Sequence, residues 1–428
     1  MKTIILAIYR DHIFDKDRPL ALIKVCGVSL ILRILNSIRA AELREVLIIL
    51  GFEGGQISNR LENGEEIGMK IRYLRVEGHE VPEIPQDFLN DDSLIISTGI
   101  VMDAEFASEI VNMKGNVVCY SNDEPVGVYK LSKEYLKSLH SDEARNRLDK
   151  LLEIMENSQG LKLDISKMQR EHVELKRKIS PICVKIEDKK SIEMARKKLI
   201  FGTQKGLHFT SYINKPIEDR IIYHLADMSW ITPNRITIFA NLVAFFVAVL
   251  FLVGSLWIAG ILAYVVGIID GLDGKLARAR GTLTKLGHIE HTFDMLYEQV
   301  WYVSFAISLY LLGYGYLPLV LGLFTLVTDS FVRHCYMQFR QTMGKALTAY
   351  TRFDKAFAKI DGRRNVYVLY MILFSGLPWL QTPLYALYAM LLHSSFTALI
   401  YAIRAIQHMS AADKADGTKR FLKLVGKP

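Results

Sequence analysis

The hydrophobic positions divide the chain into two unlike parts. Up to about residue 200, short apolar runs alternate with stretches rich in Lys, Arg, Asp and Glu. From Ile236 to Ile269, by contrast, not one side chain is charged. Since ~20 apolar residues cross the hydrocarbon layer of a bilayer, this pattern predicts a soluble part followed by a membrane part.

Strand-like and helix-like segments alternate in the first part. This alternation predicts an α/β domain over residues 1–200, built on a Rossmann-like parallel sheet. The charged stretches Ser141–Asn157 and Lys162–Lys178 are predicted to be helical, as are the amphipathic Leu30–Ala41 and Lys190–Leu199. The predicted strands are Thr3–Ile8, Val46–Leu50, Lys70–Val76, Ser93–Ser97, Asn116–Tyr120 and Ile182–Ile186.

The second part begins with a segment of mixed character. Basic, aromatic and apolar residues alternate within 201–233, which is typical of a juxtamembrane helix in the membrane interface. An all-α membrane domain is predicted over 234–410, and a basic C-terminal tail over 411–428. Its six predicted transmembrane helices are 236–253, 256–280, 290–313, 316–339, 365–379 and 383–405.

Charge and cysteine content refine this picture. The formal net charge is +8, and much of the excess Lys and Arg lies beside or between the apolar spans. That position fits anionic lipid headgroups and the positive-inside rule, so we expect membrane lipids and no nucleic acid as partners. Six helices place both termini, the soluble domain and the basic loops on the cytoplasmic side of a cell membrane. The four cysteines form no CxxC pair, so neither a disulfide framework nor a zinc site is indicated.

Two acidic stripes carry the candidate chemistry. At ~100° per residue, Asp270, Asp273, Gly274 and Ala277 project from one face of the second predicted span. On the next helix, acids recur every fourth residue at Glu290, Asp294 and Glu298. Because carboxylates at membrane depth need a compensating cation, and oxygen ligands suit Mg²⁺ or Mn²⁺, a bound divalent cation is predicted. The alternative is that the acids are solvated residues at helix ends, paired with nearby Lys and Arg.

These residues resemble the CDP-alcohol phosphotransferase family, whose signature is D-x2-D-G-x2-A-R, eight residues, then G-x3-D-x3-D. The first part matches at Asp270, Asp273, Gly274, Ala277 and Arg278, and Gly287 follows after eight residues. The third and fourth acids of the signature fall at His291 and Met295, whereas the chain has Glu290 and Asp294 one position earlier. The pair Asp294 and Glu298 has the same four-residue spacing, so both pairs stay open. The resemblance covers about residues 206–410 and includes Thr232, Pro233 and Asn234 at the start of the first span.

The resemblance implies an enzyme in which an acceptor hydroxyl attacks the donor's β-phosphate and CMP leaves, in phospholipid or inositol-phosphodiester synthesis. Asp270, Asp273, Glu290 and Asp294 would be the metal ligands. Asp294 would be the general base, with Glu298 and His291 as substitutes. The donor site would comprise Asp273, Gly274, Ala277, Arg278 and Gly287.

The acceptor site is predicted from fixed cations. The acceptor would be an alcohol or a phosphoalcohol, and Arg333, Arg363 and Arg364 would suit a phosphorylated one, unless they serve positive-inside anchoring with Asp329 paired to Arg333. The run from Arg352 to Arg364 is similar to the subgroup that makes inositol phosphodiesters. Lipid donors stay open, and the family resemblance favours a homodimer.

The first part is similar to sugar-phosphate nucleotidyltransferases around residues 18–35. The loop after its first strand, residues 7–14, lacks the glycines that let backbone amides approach a triphosphate. The metal-binding Asp expected after Leu94–Ser97 is replaced near Gly99, and Asp103 lies too far along. We therefore expect a domain that has lost catalysis. The alternatives are a bifunctional enzyme that makes its own CDP-alcohol, or a non-catalytic transporter or scaffold.

Overall fold

A computed structural model describes residues 1–76, 83–121, 124–138, 161–168, 170–172, 177–204, 208–284, 286–376 and 382–417. The chain forms two compact units. The first comprises Met1–Gln204, Ile222–Trp230 and Lys275–Thr282, and the second comprises Lys205–Ile221, Ile231–Gly274 and Leu283–Pro428.

A seven-stranded mixed sheet forms the centre of the first unit. Its strand order is β12-β10-β11-β8-β1-β6-β7, and among these strands only β11 runs antiparallel to its neighbours. Its strands are β1 (Lys2–Ala7), β6 (Glu45–Leu50), β7 (Lys70–Arg75), β8 (Ser93–Ser97), β10 (Val117–Ser121), β11 (Glu124–Leu131) and β12 (Leu161–Asp164). Shorter strands pair outside it: β2 (Arg10–Asp11), β3 (Lys16–Pro19), β4 (Lys24–Val25), β5 (Val28–Ser29), β9 (Ile100–Met102), β13 (Arg170–His172), β14 (Arg177–Ile179) and β15 (Cys183–Lys185).

Helices cover the sheet because its central strands are apolar on both faces. Alternate residues of β1 belong to different cores: Ile5 lies in one hydrophobic cluster with Ile34 and Phe106, and Ile4 lies in another with Phe88. The helices of this unit are α1 (Leu30–Ala40), α2 (Gly55–Leu61), α3 (Gln86–Leu89), α4 (Ala104–Asn112), α5 (Lys133–Ser138) and α6 (Lys189–Gly202). The α/β fold class predicted from the sequence is confirmed.

Two predictions for this unit are wrong in detail. The sheet is mixed rather than wholly parallel, because the unpredicted strand β11 runs antiparallel between β8 and β10. The helix predicted at Lys162–Lys178 is absent from the described residues of that stretch, which instead contain β12, β13 and β14. Pairing of β12 with β10 overrides the weak helical preference of a charged sequence. The helix predicted at Ser141–Asn157 lies outside the described residues.

The second unit is helical. The predicted juxtamembrane helix forms α7, which contains Pro216, and α8 starts where Thr232 accepts a hydrogen bond from the Arg235 amide with Pro233 in the first turn. The helices are α7 (Phe209–Leu225), α8 (Pro233–Leu252), α9 (Leu256–Arg280), α10 (Glu290–Leu311), α11 (Leu317–Met343), α12 (Arg352–Phe357), α13 (Arg364–Gly376) and α14 (Leu384–Ala415). The last residues of α7 and of α9 are counted with the first unit.

Four of the described helices are long and apolar enough to cross a membrane: α8, α9, α11 and α14. A helix also lies at each of the two other predicted spans. The first turns of α10 carry the three acids, and α13 has only 13 described residues, since 377–381 are outside the described ranges. Membrane helices are therefore confirmed, and the count of six stays a prediction.

Candidate active site

Helix α9 places two carboxylates one turn apart. Asp273 is only 2% exposed, and its two oxygens accept hydrogen bonds from the Thr237 hydroxyl of α8 and the Gly274 amide. Glycines on the same helix let polar groups come close. A Cβ added at Gly271 would lie 2.9 Å from Glu218 Oε1, and one at Gly267 would lie 3.2 Å from Asn365 Oδ1.

The start of α10 supplies the facing acids. The Glu290 carboxyl group lies close enough to that of Asp273 for the two charges to interact. Ligand atoms of Glu290, His291 and Asp294 lie within 4.8 Å of one another. Asp294 is 8% exposed; its Oδ2 lies 3.3 Å from His291 Nδ1, and its buried Oδ1 has no hydrogen-bond partner. Two carboxyl groups so close together favour sharing either a proton or a cation.

An arginine network borders these acids. Arg364 donates to Asp270 Oδ2 at 2.8 Å and to the Tyr297 hydroxyl, and its Nη1 lies 3.0 Å from Glu298 Oε1. Arg333 donates to Glu298 and, at 2.7 Å, to Asp329. Glu298 is thus held by two guanidinium groups, unlike Glu290 and Asp294.

The donor set fits a hard divalent cation. Asp270, Asp273, Glu290 and Asp294 offer carboxylate oxygens, the ligands that Mg²⁺ and Mn²⁺ prefer. Among them only Asp270 has an arginine at hydrogen-bond distance in the described contacts. The unpartnered Asp294 oxygen is a ready ligand atom.

Other predicted residues have different surroundings. Arg363 pairs with Asp361, which also accepts from the Tyr401 hydroxyl. Burial would lower the pKa of Arg363, but the Asp361 charge raises it above its ordinary value. Next to this pair, burial lowers the pKa of His208 to about 4, so the ring is neutral near pH 7.

The remaining donor-site residues are tied locally. Ala277 is buried, Arg278 donates to the Thr203 carbonyl at 2.9 Å, and the Gly287 amide donates to the Thr284 hydroxyl at 3.1 Å. Sequence reasoning missed Thr237 and Tyr297. Thr237 could have been found, because it is a polar side chain within a span that has no charged residue. Nothing in the sequence around Tyr297 distinguishes it from an ordinary buried aromatic residue.

The glycine-free loop of the first unit is closed by its own carboxylate. Asp11 is fully buried and accepts from the Ile13 and Phe14 amides at 3.1 and 3.0 Å and from Arg18 Nε at 2.7 Å. Burial raises the pKa of Asp11, but these hydrogen bonds outweigh it and hold the pKa below its ordinary value. Asp103 caps α4 through the Phe106 amide and also accepts from the Ile182 amide.

The second unit combines apolar helices with buried carboxylates that lie close together near helix ends. These features define an integral membrane protein with a polar site suited to a divalent cation. Residues 230–394 match the family model described as CDP-alcohol phosphatidyltransferase. This is the family that the acidic signature indicated, and the signature residues lie within the matched segment.

Three relatives agree with this assignment. A bifunctional IPC transferase and DIPP synthase of Thermococcus kodakarensis is 32% identical over 142 residues, 32% of this chain and 32% of that protein. The Aquifex aeolicus protein of the same name is 23% identical over 64% of this chain and 68% of its own length. An archaetidylinositol phosphate synthase of Pyrococcus horikoshii is 38% identical over 20% of this chain and 44% of its length. The match thus spans about a third of the length of the Thermococcus protein and under half of the length of the Pyrococcus protein.

Two solved structures each resemble part of the chain. A putative glucose-1-phosphate thymidylyltransferase from Bacillus anthracis has a TM-score of 0.33 and 17% identity, with 46% of this chain and 93% of that chain covered. A Mycobacterium tuberculosis phosphatidylinositol phosphate synthase with CDP-DAG bound has a TM-score of 0.36 and 18% identity, with 46% and 94% covered.

Proposed function

We propose that the chain transfers the phosphoalcohol moiety of a CDP-alcohol to the hydroxyl of an acceptor alcohol, with release of CMP. The observation that carries this proposal is the cluster of ligand atoms that Glu290, His291 and Asp294 of α10 form near Asp273 of α9. These acids lie within the segment that matches the family model. The resemblance of their spacing to the family signature supplies the reaction type.

The carboxylates have separable roles in this proposal. Asp270, Asp273, Glu290 and Asp294 hold one or two Mg²⁺ or Mn²⁺ ions, which when bound offset the charge of the pyrophosphate and of the leaving CMP. Thr237 and the Gly274 amide fix the Asp273 carboxylate, so that it is oriented before substrate binds.

A proton must leave the acceptor hydroxyl as it attacks phosphorus. Asp294 is the proposed base through Oδ2, which lies 3.3 Å from His291 Nδ1, whereas its buried Oδ1, which has no hydrogen-bond partner, would serve as the cation ligand. His291, whose side chain is largely exposed, then passes the proton to solvent. Glu298 is a poorer base, since two arginines stabilise its charged form.

Arg364 is the proposed phosphate-binding arginine. It lies between Asp270 and Glu298 and presents its guanidinium to both. A planar guanidinium suits phosphate oxygens as well as carboxylates, so a phosphate can replace one carboxylate partner. Arg333 and Arg363 stay candidates for a phosphorylated acceptor, although each is paired with a carboxylate.

We further infer an inositol-phosphate class of acceptor, supported by the names of the relatives, and a cell-membrane location with the site on the cytoplasmic side. A homodimer is proposed from family resemblance alone. The proposed boundaries stay 1–200, 201–233, 234–410 and 411–428; helix α14 continues to Ala415.

The test is metal-dependent CMP release from CDP-alcohols by the full chain, with donors and acceptors screened and the product identified by mass spectrometry. Asp270→Asn or Asp273→Asn should each lower the rate by about a hundredfold or more, while the protein keeps its elution profile in detergent. Asp413→Asn, an equal charge change at an exposed site on α14, should behave as wild type. Full activity in either α9 variant would contradict the metal assignment.

A further inference from the structure

The C-terminal turn of α9 is enclosed by residues of the first unit. Ala279 and Leu276 are fully buried. A helix end leaves its last carbonyls without partners inside the helix. Two of them are satisfied by the chain itself, since the Thr282 amide donates to the Ala277 carbonyl and the Gly281 amide to that of Arg278. Gly281 has a φ of +70°, which permits this left-handed ending.

Side chains of α1 complete the cap. Arg33 Nη1 donates to the Ala279 carbonyl at 3.0 Å, and Asn36 Nδ2 donates to the Gly281 carbonyl at 2.7 Å. Arg33 is 5% exposed, and its Nη2 also donates to the Val25 carbonyl at 2.9 Å. A cation at a helix C-terminus is favourable because the helix dipole is negative there.

The segment that leads into the first span is tied to the same place. Arg280 donates to the Ala226 and Met228 carbonyls, both at 2.9 Å. Asp227 accepts from the Gly27 amide at 3.0 Å and pairs with Arg196 at 2.8 Å. The β4–β5 turn, the end of α7 and the end of α9 therefore hold one another through polar contacts, of which those of Arg280 with Ala226 are buried.

We propose that the soluble unit positions the acid-bearing helix, and that Arg33 and Asn36 are positioning residues for Asp270 and Asp273. The proposal rests on the proposed function in one respect, namely that Asp270 and Asp273 are metal ligands of the enzyme. Helix α9 is continuous from Leu256 to Arg280, and Asp273 lies six residues, ~9 Å, from Ala279. A rotation or slide of the capped end is carried along the helix to the Asp273 carboxylate, away from Thr237 and Glu290. The soluble unit then has a role that requires no nucleotide.

The test uses Asn36→Asp in the full chain. The aspartate side chain has the same shape and keeps the oxygen that accepts from Arg39. It replaces the amide group that donates to the Gly281 carbonyl with a second acceptor oxygen, so that this hydrogen bond is lost. Two readouts need no turnover: hydrogen exchange of amides 270–282, and the Mn²⁺ concentration that half-maximally raises the Tm. A third is the Mg²⁺ midpoint of CMP release, measured beside the KM values for donor and acceptor.

We expect faster exchange across 276–282 and a metal midpoint raised about fivefold, the factor that corresponds to one net hydrogen bond. The KM for the acceptor should not change. The matched control is Asn112→Asp, the same change on an exposed Asn that also donates to a helix carbonyl in this unit. Asn36→Ala, which removes the hydrogen bond without adding charge, should give a smaller shift in the same direction and replaces Asn36→Asp if that variant does not fold.

A metal midpoint within twofold of wild type, despite faster exchange at 276–282, would overturn the proposal because the cap would then not control the acids. Unchanged exchange would overturn it too, since the cap would then not hold the helix end. If the wild-type chain releases no CMP from any CDP-alcohol, the proposed function fails instead, and the Mn²⁺ and exchange readouts still decide the positioning role.

Discussion

Glu290 and Glu298 lie two turns apart on α10 and have opposite surroundings. Glu290 lies near another carboxyl group, whereas Glu298 contacts two arginines. A carboxylate beside carboxylates favours binding of a cation, and a carboxylate between arginines already has its counter-charge. The four-residue spacing allowed both pairs that include Asp294; the surroundings favour Glu290 with Asp294 as the metal-binding pair.

This difference predicts two separate phenotypes. Glu290→Gln should raise the Mg²⁺ or Mn²⁺ midpoint of CMP release by about tenfold and leave the Tm without metal unchanged or higher, because it relieves repulsion with Asp273. Glu298→Gln should destabilise the fold by about 3 kcal/mol, because Arg333 and Arg364 each lose a buried partner. Metal titrations and thermal unfolding of both variants in detergent provide the measurement.

The opposite pattern, with Glu298→Gln altering only metal dependence and Glu290→Gln altering only stability, would reverse the assignment. Asp294→Asn serves as the reference, since Asp294 belongs to both pairs and should be inactive in either case. Near wild-type turnover in that variant would eliminate both pairs.

Among the elements, α10 and α11 pack closely through small residues. A Cβ added at Gly322 would lie 2.6 Å from the Ala306 Cβ, which is closer than two non-bonded carbon atoms can approach. Membrane helices associate by such close packing, because lipid offers little hydrophobic driving force between them. The contact keeps α10, and with it the acids of its first turns, against α11.

Gly322→Leu should therefore destabilise the protein by about 1–3 kcal/mol through overpacking, and should lower the Tm of the detergent-solubilised chain. Leu323→Ala, on the adjacent exposed face of α11, changes side-chain volume without this contact and should shift the Tm far less. An equal loss in both variants would show that Gly322 is not a special contact.

The elements that sequence patterns predicted well are those whose apolar runs are unambiguous. The strands β1, β6 and β8 and the helices α8, α9 and α11 fall within a few residues of their predicted places, whereas α14 begins at its predicted place but continues to Ala415. Strands β11 and β12 were missed because their pairing depends on distant β8 and β10. Spacing on a helix predicted the acids of the candidate site, but their partners Arg364 and Thr237 come from other helices, and no local pattern indicates such contacts.

For the whole molecule, the closed Asp11 loop bears on whether the chain makes its own donor. The amides of Ile13 and Phe14, which lie in the loop that follows the first strand, already donate to a buried carboxylate. An incoming triphosphate would have to displace that carboxylate and would meet its negative charge. The first unit is accordingly expected to have no nucleotidyltransferase activity.

The full chain supplied with CTP and a phosphoalcohol should form no CDP-alcohol, while the same preparation releases CMP from a CDP-alcohol that is provided. Pyrophosphate release and mass spectrometry of the nucleotide products measure the first reaction. CTP-dependent, metal-dependent formation of a CDP-alcohol would establish the bifunctional alternative. The second reaction, run in parallel, controls for the quality of the preparation.

The first unit has a further consequence for how the chain is made. It includes Ile222–Trp230, which precedes α8, and Lys275–Thr282, which contains the end of α9. The ribosome must therefore synthesise two membrane spans before the soluble unit has all of its parts. Its folding and the insertion of α8 and α9 are then coupled in time, so a nascent chain that stops before residue 282 should expose the unfinished unit to chaperones and proteases.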